Sequence, residues 1–375
     1  MKHHYLFFVL MLLFCRVSIA QHWEQLGKGS YELEGAPIRT VYADSSGHVY
    51  AGTGVMHENF TKGNLFKCSN TTVEEPKNFP YHGKSMVIEY IIGDAKSNMY
   101  VSGFYIQDTY RRGTQDVGLK CPFIIEYNGK TWKDILKPYT ALQYDIIQSI
   151  CMDSSGNLYA AGECFMKNFE YYVAKWDGKN WAPVMVDKKT LFIVGDSPRL
   201  CTGPDGTLYV ADYAEGHPGC NVTEWNGKKR TALGDSTHTL DANGKIRSIC
   251  CDKDGHVYVA GDFTNQHHKN YVAVWDGKNW SELGGENSLQ ANKEISVLCT
   301  DNKNNLYAAG HFTNKDNTCY VAHWDGKNWS ELGGANTLNA NNPIMSIYVD
   351  HHGNIYATGH FSTAKRKHYV AVFRK

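Results

Sequence analysis

One phrase recurs seven times along this chain at nearly constant spacing. It reads D-x-x-[G/N]-x-[hydrophobic]-Y, with Ser97 at the fourth position of one copy, and usually continues x-x-G. Copies run from Asp44 to Gly52, Asp94 to Gly103, Asp153 to Gly162, Asp252 to Gly261, Asp301 to Gly310 and Asp350 to Gly359, with a variant, P-D-G-T-L-Y-V-A-D, ending at Asp212. The anchoring tyrosines, Tyr50, Tyr100, Tyr159, Tyr209, Tyr258, Tyr307 and Tyr356, follow one another at steps of 50, 59, 50, 49, 49 and 49 residues. A fixed period of this length demands a solenoid, an array or a propeller.

Each unit divides into short β-rich runs separated by turn residues. In the sixth, the runs are Ile295 to Thr300, Asn305 to Phe312, Tyr320 to Trp324 and Asn328 to Leu332, with turn chemistry at Asn304-Asn305 and Asp325-Gly326. No segment with helical periodicity interrupts them. Four antiparallel strands per unit predict an all-β, seven-bladed propeller. The last unit stops at Tyr369 to Phe373 and lacks a fourth strand, while Trp23 to Gly27 at the other end repeats the pattern of Trp280 to Gly284 and Trp329 to Gly333. An unpaired sheet edge invites aggregation, so the N-terminal strand is expected to complete the last blade and close the ring. Residues 21–375 then form a single domain.

Residues 1–20 read as a secretory signal peptide, with Lys2, an apolar run from Tyr5 to Cys15, and the small-residue cleavage site Ser18-Ile19-Ala20. The expected location is secreted, periplasmic or cell-surface. No segment approaches the roughly 20 apolar residues of a spanning helix. Without the segment's Lys2 and Arg16, 36 basic face 38 acidic residues, a formal charge of −2 that offers no basic stripe for nucleic acid. A monomer is expected.

Cys151, Cys250 and Cys299 each precede the repeat aspartate by two residues and are expected to be buried, unpaired thiols. Cys164, Cys220 and Cys319 lie near second-to-third-strand links, where a surface disulfide is conceivable.

The copies Asp153 to Gly162 and His351 to Tyr356 resemble the D-x-x-G-N-x-Y-x-x-G repeats of secreted bacterial seven-bladed β-propeller proteins. The resemblance covers the whole chain past residue 20. It implies the fold and is almost mute about function, because propellers host binding, signalling and several chemistries.

Function is sought on the face carrying the long, variable links, from second to third strand and from fourth strand to the next blade. The position after the repeat glycine there carries Glu163, Asp262, His311 and His360, ionisable groups able to bind a ligand if they lean toward the axis. A long insertion, Phe104 to Lys120, reads as a loop and offers Tyr105, Tyr110, Arg111 and Arg112, side chains suited to recognition. No metal or other cofactor is expected, since equivalent atoms on adjacent blades start too far apart to share one ion. Named catalytic constellations such as G-x-S-x-G and H-E-x-x-H are missing from the sequence. The leading reading is a recognition module for a protein or glycan. The alternative is a propeller enzyme, a carbohydrate-active hydrolase or lyase with an axial active site.

Overall fold

The computed structural model describes residues 21–27, 36–57, 60–84, 86–112, 115–136, 144–164, 171–186, 189–190, 192–193, 198–212, 221–234, 240 and 242–374. Residues 1–20, which the sequence reading gives as a signal peptide, lie outside them. Seven antiparallel blades of four strands each succeed one another in a propeller, the third extended by Phe192–Ile193 pairing with Tyr171–Trp176. Their first strands are Ile38–Ala43, Met86–Gly93, Tyr144–Met152, Arg199–Thr202, Ile246–Cys251, Ile295–Thr300 and Ile344–Val349. First strands of neighbouring blades contact one another, so together they line the axis.

Blade 7 consists of Ile344–Val349, Ile355–Gly359 and Ala371–Phe373, with Trp23–Gln25 as its fourth strand. Trp23 pairs with Phe373 and Gln25 with Ala371. The Trp23 indole donates to the Leu332 carbonyl of blade 6 at 3.3 Å. Trp181 and Trp280 make the same bond to Ile135 and Leu233 of their preceding blades. The N-terminal strand thus fills an ordinary fourth-strand position.

The core is divided into seven apolar clusters, one in each wedge between neighbouring blades. Every repeat tyrosine is buried in the cluster shared with the following blade, a position suited to a long, flat side chain with a polar tip. In five blades the tyrosine hydroxyl reaches the repeat aspartate, as Tyr258 does with Asp252 at 2.9 Å. The aspartate's other oxygen accepts the turn's backbone N–H groups. Hydroxyls latch one inner strand to the next: Thr40, Ser149, Ser248 and Ser346 accept from Ile91, Leu200, Leu298 and Val41. The last of these joins blade 7 to blade 1.

The repeat glycine has a steric origin. A Cβ on Gly261 would lie 2.0 Å from the Lys245 carbonyl oxygen, and one on Gly359 would lie 2.2 Å from that of Pro343. These approaches bring the end of the second strand against a β-bulge in the first. In six blades the register shifts around one unpaired residue: Arg39, Glu89, Gln148, Arg247, Ser296 or Met345.

The insertion in blade 2 corrects the expectation of a loop. Met99–Arg112 and Gln115–Tyr127 form one long hairpin, paired from Met99 with Tyr127 to Arg112 with Gln115, with an irregularity between Gly118 and Lys120. Alternating Tyr105, Gln107, Thr109 and Ile106, Asp108, Tyr110 suit extended backbone, and the two strands satisfy each other's peptide groups.

Candidate functional site: the bulged rim of the variable-link face

The six bulges fall at the end of the inner strands away from the D-x-x-G turns. A bulge adds one residue to a strand and re-aims its side chain. Around the axis this brings together residues from blades that are far apart in sequence. Arg39 of blade 1 donates from Nε (3.0 Å) and Nη2 (2.7 Å) to Oε2 of Glu89 in blade 2. Arg247 of blade 5 grips Asp262 with two parallel bonds of 2.9 Å, the bidentate geometry of a guanidinium on a carboxylate. Its Nη2 also lies 3.8 Å from Glu294 of blade 6. Glu294 meets His311 Nδ1 at 2.8 Å and accepts from the Ser296 hydroxyl at 3.1 Å. Arg199 of blade 4 ties the backbones of its neighbours, donating to the carbonyls of Arg247 (2.8 Å) and Gln148 (3.4 Å).

Asp262, His311 and His360 hold their places through backbone bonds to the residue just before their own inner strand: Lys245, Glu294 and Pro343 respectively. His360 is exposed, yet partial loss of hydration and the positive neighbours Arg39, His368 and His311 hold its pKa below the usual value. Asp262 and His311 are linked across blades 5 and 6 through Arg247 and Glu294, and His311 is among the groups that act on His360. Glu163 is the last but one residue of strand Leu158–Cys164 and pairs with Ile146 in blade 3; its side chain is outside the described set.

Tyr105 lies elsewhere. It is buried, stacked on Tyr81 at 4.8 Å with the Lys84 ammonium 4.4 Å above its ring, and so packs the wedge between blades 1 and 2. Tyr110, Arg111 and Arg112 are placed by backbone at the far end of the blade 2 hairpin. Sequence reasoning missed Arg39, Glu89, Arg247 and Glu294. The available signal was a polar residue directly after an isoleucine in the first half of a first strand, at Arg39, Glu89, Gln148, Arg247 and Ser296.

The other end of the axis has a different chemistry. A cavity of 690 Å³ opens among the D-x-x-G turns and is walled by all seven blades. Tyr42, Ile92, Cys151, Cys201, Cys250, Cys299 and Tyr348 occupy equivalent positions around it. Burial pushes the Cys299 thiol up to about 12 and those of Cys151, Cys201 and Cys250 well above the usual value, so all four are neutral. Cys319 is a buried thiol in the wedge between blades 6 and 7. The Cys164 side chain and Cys220 are outside the described set. Asp252, Asp254 and His256 bring ligand-type atoms within 4.8 Å of one another, but Asp252 and His256 are already bonded together in the blade 5 turn.

No protein-family model matches the sequence, and no curated protein matches it. Among solved structures, it is similar to the extracellular domain of a hybrid two-component system from B. thetaiotaomicron, with a TM-score of 0.56 and 14% identity. That likeness is one of fold. The alignment covers 95% of this chain and only 40% of that one. A protein of unknown function from Dyadobacter fermentans gives a TM-score of 0.47 at 11% identity, covering 94% and 97% of the two chains. A gluconolactonase from Xanthomonas campestris gives 0.40 at 10%, covering 94% and 95%. Among the described residues no helix is long and apolar enough to cross a membrane.

Proposed function

We propose that this protein is a secreted or surface-exposed recognition module that binds a glycan at the axial rim of its variable-link face. The observation that carries the reading is the mutual pairing of the rim's charges. Arg247 with Asp262 and Arg39 with Glu89 are ion pairs, the His311 imidazole meets the Glu294 carboxylate, and all remain partly exposed. Such pairs present fixed donors and acceptors side by side, which suits sugar hydroxyls that both donate and accept. The carboxylates of Asp262 and Glu89 are held by guanidinium groups, which keep their protons and serve as fixed donors. The apolar run from Tyr5 to Cys15 supports export.

The test is a glycan array with the labelled protein, followed by affinity measurements on its best ligand. Replacing His311 and His360 together by alanine is expected to weaken binding about tenfold, the scale of losing contacts at a recognition centre. Removing residues 107–115, which takes the paired end off the blade 2 hairpin and its share of the strand signal in circular dichroism, is expected to weaken it too. Unchanged affinity in both variants, with loss instead on altering the D-x-x-G turns, would move the site to the opposite face.

A further inference from the structure

We propose that Cys201 and Cys251 form a disulfide that staples the inner strand of blade 4 to that of blade 5. Their sulfurs lie 3.1 Å apart, and the two residues are 50 positions apart in the chain. The strand alternation explains why this pair meets and others do not. Side chains on the Cys201 register face the following blade: the Cys299 sulfur accepts from the Val349 backbone of blade 7. Side chains one residue later face the preceding blade: Thr202 donates to the Met152 carbonyl and Thr300 to that of Cys251. A bond between blades therefore needs a cysteine on the first register of one blade and on the second register of the next. Cys151 is followed by Thr202, Cys250 by Thr300 and Cys299 by Val349. Cys201 alone is followed by a cysteine, Cys251, at that second position.

The staple falls where the repeat's own clasp is altered, since blade 4 carries Gly203 where other blades carry the turn aspartate. Both thiols line the 690 Å³ cavity, and Cys251 is the more exposed. With oxidised glutathione as oxidant, Cys251 loses its proton to water and its sulfur attacks the glutathione disulfide, expelling one glutathione thiolate. The Cys201 sulfur, losing its own proton, then displaces the second glutathione from the mixed disulfide. Two protein thiols are oxidised by two electrons, one glutathione disulfide is reduced, and the two protons end on the two glutathione thiols.

The occurrence of the link in the cell rests on the reading that the chain is exported; its geometry does not. The purified full-length chain is equilibrated with reduced and oxidised glutathione, denatured, alkylated without reductant and digested. Mass spectrometry is expected to find a peptide pair joined through Cys201 and Cys251 that disappears on reduction, with Cys151, Cys250 and Cys299 alkylated. Finding Cys201 and Cys251 both alkylated, or either joined to a different cysteine, overturns the proposal. A reductant should lower the melting midpoint of the wild type by several degrees and leave that of Cys251→Ser unchanged; an equal fall in both also overturns the staple. Protein taken directly from the medium or cell envelope tests export separately. A chain that pairs in glutathione but is fully reduced as isolated upholds the staple's geometry and removes the export reading.

Discussion

Asp301 accepts four hydrogen bonds on two oxygens. Oδ1 takes the backbone N–H of Lys303 (2.8 Å) and Asn305 (3.0 Å), while Oδ2 takes the Asn305 amide (2.8 Å) and the Tyr307 hydroxyl (3.1 Å). Burial alone would raise its pKa, but these bonds outweigh that effect and hold the carboxyl below its ordinary 3.8. A depressed acid contributes stability that is complete above the unfolded value and is lost as pH falls through the folded one. Asp301→Ala removes these bonds together, including that from the Tyr307 hydroxyl, so a loss of about 2 to 4 kcal/mol is expected in urea unfolding; a loss under about 0.5 kcal/mol would refute the clasp's importance. His360 has the same direction of shift but the opposite chemistry. Its folded pKa lies below the ordinary 6.5, so between the two values the unfolded chain binds more protons. Its contribution is therefore intact above 6.5 and declines as the pH drops below it. His360→Asn should flatten the dependence of the urea midpoint on pH between about 7.5 and 5, and parallel curves for variant and wild type would count against the assignment.

At the scale of elements, the strand Trp23–Gln25 does the most with the fewest residues. It pairs with Ala371–Phe373, sets the Trp23 ring 5.5 Å from that of Phe373, and has its indole bonded to blade 6. Removing residues 21–27 exposes the edge of Ala371–Phe373 and leaves the space of a tryptophan unfilled. The melting midpoint is expected to fall by about 5 °C or more, with oligomers forming through the free edge. Calorimetry and size-exclusion chromatography read both; a monomer melting like the intact protein would mean that the strand is dispensable. This element was legible in the sequence because Trp-x-x-Leu-Gly is repeated in full at Trp280 and Trp329. The blade 2 hairpin was not, because its extra length departs from the repeat and only its pairing partner reveals it as strand. The same pairing buries Tyr105, whose fate depends on Tyr81 and Lys84 rather than on its own neighbours in the chain.

At the scale of the molecule, the axis has two unlike ends: a rim of paired polar and charged groups among the variable links and a thiol-lined cavity among the uniform turns. The turns themselves are alike, but the inner strands that lead into them are not, and four successive blades place a cysteine where the other three place tyrosine or isoleucine. The sequence by itself determined the blade count, the turn chemistry and the partner strand of blade 7. Each of these rests on contacts within one repeat or on the repeat's own grammar, and both are read along the chain. Only the tertiary structure decided that Arg39, Glu89, Arg247 and Glu294 join that rim, and that Cys201 faces Cys251. Those meetings cross from one blade to the next, about 50 residues away in sequence. Along the rim a single bulged residue decides which way the side chain points, and at the cavity a shift of one residue decides which blade a thiol faces. A one-residue change of register is invisible to periodicity, yet in extended backbone it turns a side chain to the other face.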